Sequence, residues 1–196
     1  MSRHAQWLLL AHELWWIWFV LAGPYVLLAG ALFAGVGRTV QHDRRRELVV
    51  ALLALVVTFT VMGVAILIAT LVSHSGNALT GRELLLTGGI VWLANAVAFG
   101  LVFWELDCGG PVARALSSAP RRPDFQFPQD ENPQLAPEGW APRLWDYLYL
   151  SLTNSIAFSP TDAMPLTRPA KSLMAAESAL AAVTLLLLAA RAVNIL

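Results

Sequence analysis

Charge is what this sequence has least of. Only 13% of its 196 residues are Asp, Glu, Lys or Arg, and the two signs balance at thirteen each. Soluble domains carry about a quarter charged residues, so a chain with half that share, 57% hydrophobic residues and a mean hydropathy of +0.60 reads as an integral membrane protein. The zero formal net charge offers no basic surface to nucleic acid. Cysteine is nearly absent: Cys108 alone permits neither an internal disulfide nor a cysteine metal cage. The histidines His4, His12, His42 and His74 are scattered, and His12 and Glu13 stand in HELWW, which lacks the second histidine of a zinc-protease helix. With no nucleophile in a recognisable setting and no glycine-rich phosphate loop, the reading is a non-enzyme that holds no metal and no cofactor. No internal repeat is visible, which argues against a duplicated transporter.

What the sequence has is long apolar runs. Residues 5–37 exceed the roughly 20 residues that a span needs, with Pro24 placed to kink the run. Trp7, Trp15, Trp16 and Trp18 crowd its first half, as expected of indoles at headgroup level. Further spans are expected at about residues 48–72, 84–104 and 170–193. In the third, Ala96 and Gly100 stand four apart beside Asn95, a spacing that predicts close helix packing with Asn95 bonding across helices. The stretch between the third and last spans holds Pro111, Pro120, Pro123, Pro128, Pro133 and Pro137, which forbid a long helix. Phe125, Phe127 and Trp140 predict that this loop packs onto something. The expected division is a three-span region at 1–105, a proline-rich loop at 106–141 and a hairpin with the last span at 142–196.

Residues 146–167, DYLYLSLTNSIAFSPTDAMPLT, are too polar and too broken to cross a bilayer, yet an apolar helix follows at once. An aromatic helix, a polar turn and then a span is the order of a re-entrant loop. Irregular backbone at membrane depth is tolerated only where protein buries it or water reaches it. The expected fold is therefore an all-α polytopic membrane protein of four transmembrane helices, with a re-entrant pore-helix and turn before the last. The plainer alternative is an interfacial helix and a short connecting loop.

This segment resembles, without a gap, the pore segment of potassium-channel-like proteins, a two-helix module whose filter reads Thr-Thr-Ile-Gly-Tyr-Gly-Asp. Tyr149 and Ser151 match the pore helix, Asp162 matches the filter-closing aspartate, and Pro165, Leu166 and Thr167 match the Pro-(Leu/Val)-Thr that follows. The filter departs: Ile156, Ala157, Phe158, Ser159, Pro160 and Thr161 stand where the family has its threonines, aliphatic residue and glycine-aromatic-glycine. A row of inward carbonyls needs glycine at two of those positions, here Ser159 and Thr161. The resemblance implies a channel, possible only as an oligomer, with four copies around an axis. It implies a pore helix carrying Trp145, Tyr147, Tyr149, Ser151, Thr153 and Asn154, with the three aromatics holding it in place. Phe158, Ser159, Pro160, Thr161 and Asp162 would form the constriction, with Thr161 and Asp162 facing a monovalent cation. The chain is also similar to small bacterial four-helix membrane proteins that share the long loop, the aromatic helix start and a last helix ending as Ala192-Val193-Asn194 does here. The alternative function is a non-conducting scaffold or assembly protein whose broken helix only packs.

Lysine and arginine speak to orientation. Ten of the thirteen lie in the connector 38–47, the loop region 106–145, or at Arg168 and Lys171. The positive-inside rule puts those loops in the cytoplasm of a plasma (inner) membrane protein. The potassium-channel resemblance puts the long loop outside, so the two expectations oppose each other. Three charges fall at membrane depth. Glu13 and Arg191 are expected at similar depth and are predicted to pair, unless Arg191 snorkels to the interface. Glu177, about two turns into the last span, is expected either to line a pore or to hydrogen-bond Asn95 or a loop group.

Overall fold

The computed structural model describes residues 47, 51, 53–58, 60–65, 81–116, 122–159 and 162–193, with the side chains of 81–85, 112, 116 and 191–193 excepted. Helix accounts for 75% of the described residues, so they are mostly helical. It divides into two compact units, Met1–Glu83 and Leu84–Leu196. In the first, an apolar helix α1 (Leu53–Ala65) lies inside the expected second span. Its Thr58 and Thr60 donate to the carbonyls of Ala54 and Val56 one turn back, at 2.8 and 2.9 Å, so neither hydroxyl is left bare along an apolar helix.

The second unit is built on two long helices, α2 (Gly81–Leu106) and α6 (Arg168–Val193), with a shorter helix α5 (Leu144–Ala157). The apolar helical stretches Leu86–Ala115 and Arg168–Ala190 are long and apolar enough to cross a membrane. On α6 the buried residues are Ala170, Met174, Glu177, Ala181, Thr184 and Leu188, a four-three alternation that makes one continuous seam. On α2 the buried face carries Asn95, Ala96, Phe99 and Phe103, while Leu86, Ile90, Leu93 and Val97 stand exposed on the other. The small-residue expectation holds at Gly100. A Cβ there would stand 3.0 Å from the Cα of Leu148 on α5, so only glycine lets the two backbones meet.

The long loop is packed, as its aromatics predict. After α2 come a 3-10 turn (Asp107–Gly109), a short helix α3 (Pro111–Leu116), a strand β1 (Phe125–Gln126) and a single helical turn α4 (Pro128–Glu131). The turn after α2 requires positive φ at Cys108, Gly109 and Gly110. Strand β1 pairs antiparallel with β2 (Met164–Pro165), setting Phe125 opposite Pro165. Phe103, Phe125, Tyr147, Phe127 and Trp140 form a chain of tilted and edge-on ring contacts, with centroids 5.2–6.3 Å apart, that ties the loop to α2 and α5.

Candidate functional site

Helix α5 starts at a cap. The Asp146 carboxylate accepts the Arg143 backbone N–H at 2.6 Å, and its negative charge sits on the positive end of the helix. Fourteen residues give about 21 Å, short of the roughly 30 Å hydrocarbon core of a bilayer, so α5 is too short to span one by itself. It ends at Phe158, whose φ of 55° is left-handed. Glycine or asparagine is usual at that position, and a bulky residue there costs about 1–2 kcal/mol. The left-handed residue thus stands one position ahead of Ser159, where the family pattern would have its first glycine.

One end of the unit is knotted around Asp107. Its Oδ1 accepts the backbone N–H of Asp124 at 2.7 Å and of Phe125 at 3.3 Å, and its Oδ2 accepts the Tyr147 hydroxyl at 2.6 Å. Arg114 lies 3.8 Å from Oδ2, donates to the Asp107 and Trp104 carbonyls at 2.6 and 3.1 Å, and stacks over the Tyr147 ring at 5.3 Å. Asp124 extends the knot: Thr167 donates to its Oδ1 at 2.5 Å, and the Leu166 N–H to its carbonyl at 2.8 Å. Burial pushes the Tyr147 phenol well above its ordinary range, and its bond to Asp107 adds to the rise. Through these contacts the end of α2, the first turn of α5 and the start of α6 gather in one place. The chain leaves this end along α5 and is back at it by Thr167.

A second polar cluster sits along the helices. Glu177 on α6 is fully buried. Asn154 of α5 donates from Nδ2 to Glu177 Oε2 at 2.6 Å and to the Met174 carbonyl at 3.1 Å, and its Oδ1 accepts from Ser178 at 3.2 Å. Ser151 Oγ lies within hydrogen-bond reach of both the Ala96 carbonyl, at 2.6 Å, and Glu177 Oε1. Asn95 makes a long 3.5 Å contact from Nδ2 to the Glu177 carbonyl, while its Oδ1 and the Trp92 Nε1, one turn away, are buried without partners. The cluster joins α2, α5 and α6, and the groups that meet the Glu177 carboxyl in it, Ser151 and Asn154, are uncharged.

The expected pore-helix residues separate cleanly. Tyr147, Ser151 and Asn154 are buried and make the contacts above. Trp145, 73% exposed, and Tyr149, 47% exposed, face outward, so the anchoring role falls to Tyr147 alone within one chain. Thr153 is half-buried and bonds its own helix at the carbonyls of Tyr149 and Leu150. Of the filter-like residues, Phe158, Ser159 and Asp162 are exposed, with Ser159 donating to the Ala157 carbonyl at 3.4 Å. Pro160, Thr161 and Glu13, and the side chain of Arg191, lie outside the described residues, as do the expected first span and connector 38–46. The Glu177 carboxyl turns toward α5, and Asn95 meets its backbone rather than its carboxyl. Asp107 and Asp124 were not singled out by sequence reasoning, and Thr167 was read only as part of the Pro-Leu-Thr after the turn, because most of their contacts reach across 16 to 43 positions with no fixed spacing. Among the described residues no cluster of three or more His, Cys, Asp or Glu could hold a metal. No protein-family model matches the chain, and no curated protein or solved structure matches it.

Proposed function

We propose that this chain is a multi-pass plasma-membrane protein with four transmembrane helices and a re-entrant segment before the last, working as one subunit of an oligomeric, channel-like cation pore with a non-standard filter. The observation that carries the reading is the shared end. Tyr147 at the start of α5 and Thr167 at the start of α6 attach through Asp107 and Asp124 to the same end of α2. A helix too short to cross, followed by a return to its own starting level, is the path of a re-entrant loop. The exposure of Phe158, Ser159 and Asp162 fits residues that meet water or neighbouring copies around an axis, with a tetramer favoured. Asp162 would then face a monovalent cation. Asp162→Asn is expected to lower cation conductance in planar bilayers while the oligomer stays intact, and an unchanged current would remove that role.

A second reading draws on the outer face of α5, where Trp145, Tyr149 and Ile156 stand exposed at helical spacing. A stripe of that kind suits a non-conducting scaffold that docks partners within the membrane. Oligomeric state separates the two. A tetramer with residues 158–162 at its axis supports the pore, and a monomer, or a dimer with that turn at its periphery, supports the scaffold.

A further inference from the structure

We propose that Glu177 is a proton-binding site within the last span, and that the bound proton holds α5 against α2 and α6. The proposal stands on the buried cluster alone and holds whether or not the chain conducts.

The argument is a count of hydrogens. A serine hydroxyl has one proton to donate. Ser151 Oγ lies 2.6 Å from the Ala96 carbonyl, an acceptor that can contribute none, so the hydroxyl proton is directed there. The close contact between Ser151 Oγ and Glu177 Oε1 then needs a hydrogen from the carboxyl. Oε2 is left as the acceptor of the Asn154 amide at 2.6 Å. The second amide proton of Asn154 goes to the Met174 carbonyl and its oxygen accepts from Ser178, so each of these groups is used once, in one direction only. With an ionised carboxylate the same atoms leave one short contact without a hydrogen.

The surroundings agree. The groups that face Glu177 are Asn95 and the Ala96 carbonyl from α2, Ser151 and Asn154 from α5, and Ser178 and the Met174 carbonyl from α6. None of them is charged. A fully buried carboxylate without a cation or metal is costly, whereas a protonated acid in a complete set of hydrogen bonds is not. Asn95 Oδ1, on a side chain only 1% exposed and with no partner, is a further buried hydrogen-bond acceptor on the amide that meets the Glu177 backbone carbonyl. Loss of the proton leaves a negative charge against the Ser151 oxygen, and the low-cost response is for α5 to separate and admit water. The closed arrangement binds one more proton than the open one, so raising the pH favours opening.

Two measurements on the full chain in proteoliposomes test this. In infrared spectra the wild type should show a protonated-carboxyl stretch at neutral pH that is lost in Glu177→Gln and shifted in Ser151→Ala. If neither variant alters such a band, the site does not hold a proton. The second probe is Ser155→Cys, at a fully buried position on α5, with Cys108→Ala to remove the native thiol. The ratio of its thiol labelling rate with Glu177 to that with Glu177→Gln cancels the ionisation of the thiol itself. That ratio should rise about tenfold per pH unit, as release of one proton requires, until opening is complete. A ratio that stays flat overturns the link between the proton and α5. Should Glu177→Gln not fold, Glu177→Met, which cannot titrate either, serves as the reference in both measurements.

Discussion

Asp107 and Glu177 are both buried carboxyls in the same unit, yet their partners differ in kind. Asp107 sits just past the C-terminal end of α2, where the returning loop brings it the backbone N–H groups of Asp124 and Phe125, and it also gathers a phenol and the Arg114 guanidinium. Glu177 sits in mid-helix, where every backbone N–H is already used, and only the side chains of neighbouring helices can answer it. The first environment supplies backbone donors and a cation, and the second supplies neither. The difference suits them to different work: Asp107 fastens loop, α5 and α6 to α2, while Glu177, on the proposal above, tightens a helix seam that loss of its proton would loosen.

Breaking the first half of that comparison should give the largest effect. Asp107→Ala strands Arg114, the Tyr147 hydroxyl and two backbone N–H groups, and is expected to cost about 3–5 kcal/mol in unfolding followed by detergent titration. A cost below that of a typical surface substitution would show that the knot does not hold the unit together. Tyr147→Phe keeps the ring contacts and removes one donor to Asp107, so the same assay should record a loss of about 2 kcal/mol. Smaller still, and of opposite sign, is Phe158→Gly. Relieving the left-handed strain at a side chain that is 45% exposed should raise stability by about 1 kcal/mol, and a loss would mean that the ring is held by contacts beyond one chain.

Much of the frame was legible because it depends on local pattern. Residues 170–193 differ from the observed α6 by two positions at one end, and the Asn95, Ala96 and Gly100 spacing marked the face that packs. The start of α5 is equally local, since the Asp146 cap is a contact over three residues. The knot was not legible. Arg114 read as one more basic residue in a long loop, and Asp107, which it meets from seven residues away, was not singled out. Glu177 was visible as costly, but its partners Ser151 and Asn154 come from a helix 23 to 26 residues earlier, a distance over which no spacing rule operates.

The central claim is that α5 begins and α6 begins at the same membrane face. It can be tested in oriented membrane vesicles of the Cys108→Ala protein, by placing a single cysteine at Glu138, exposed just ahead of α5, or at Lys171, exposed in the first turn of α6, and labelling with an impermeant thiol reagent. The account predicts that both positions label from one and the same side. Labelling of the two from opposite sides would contradict it.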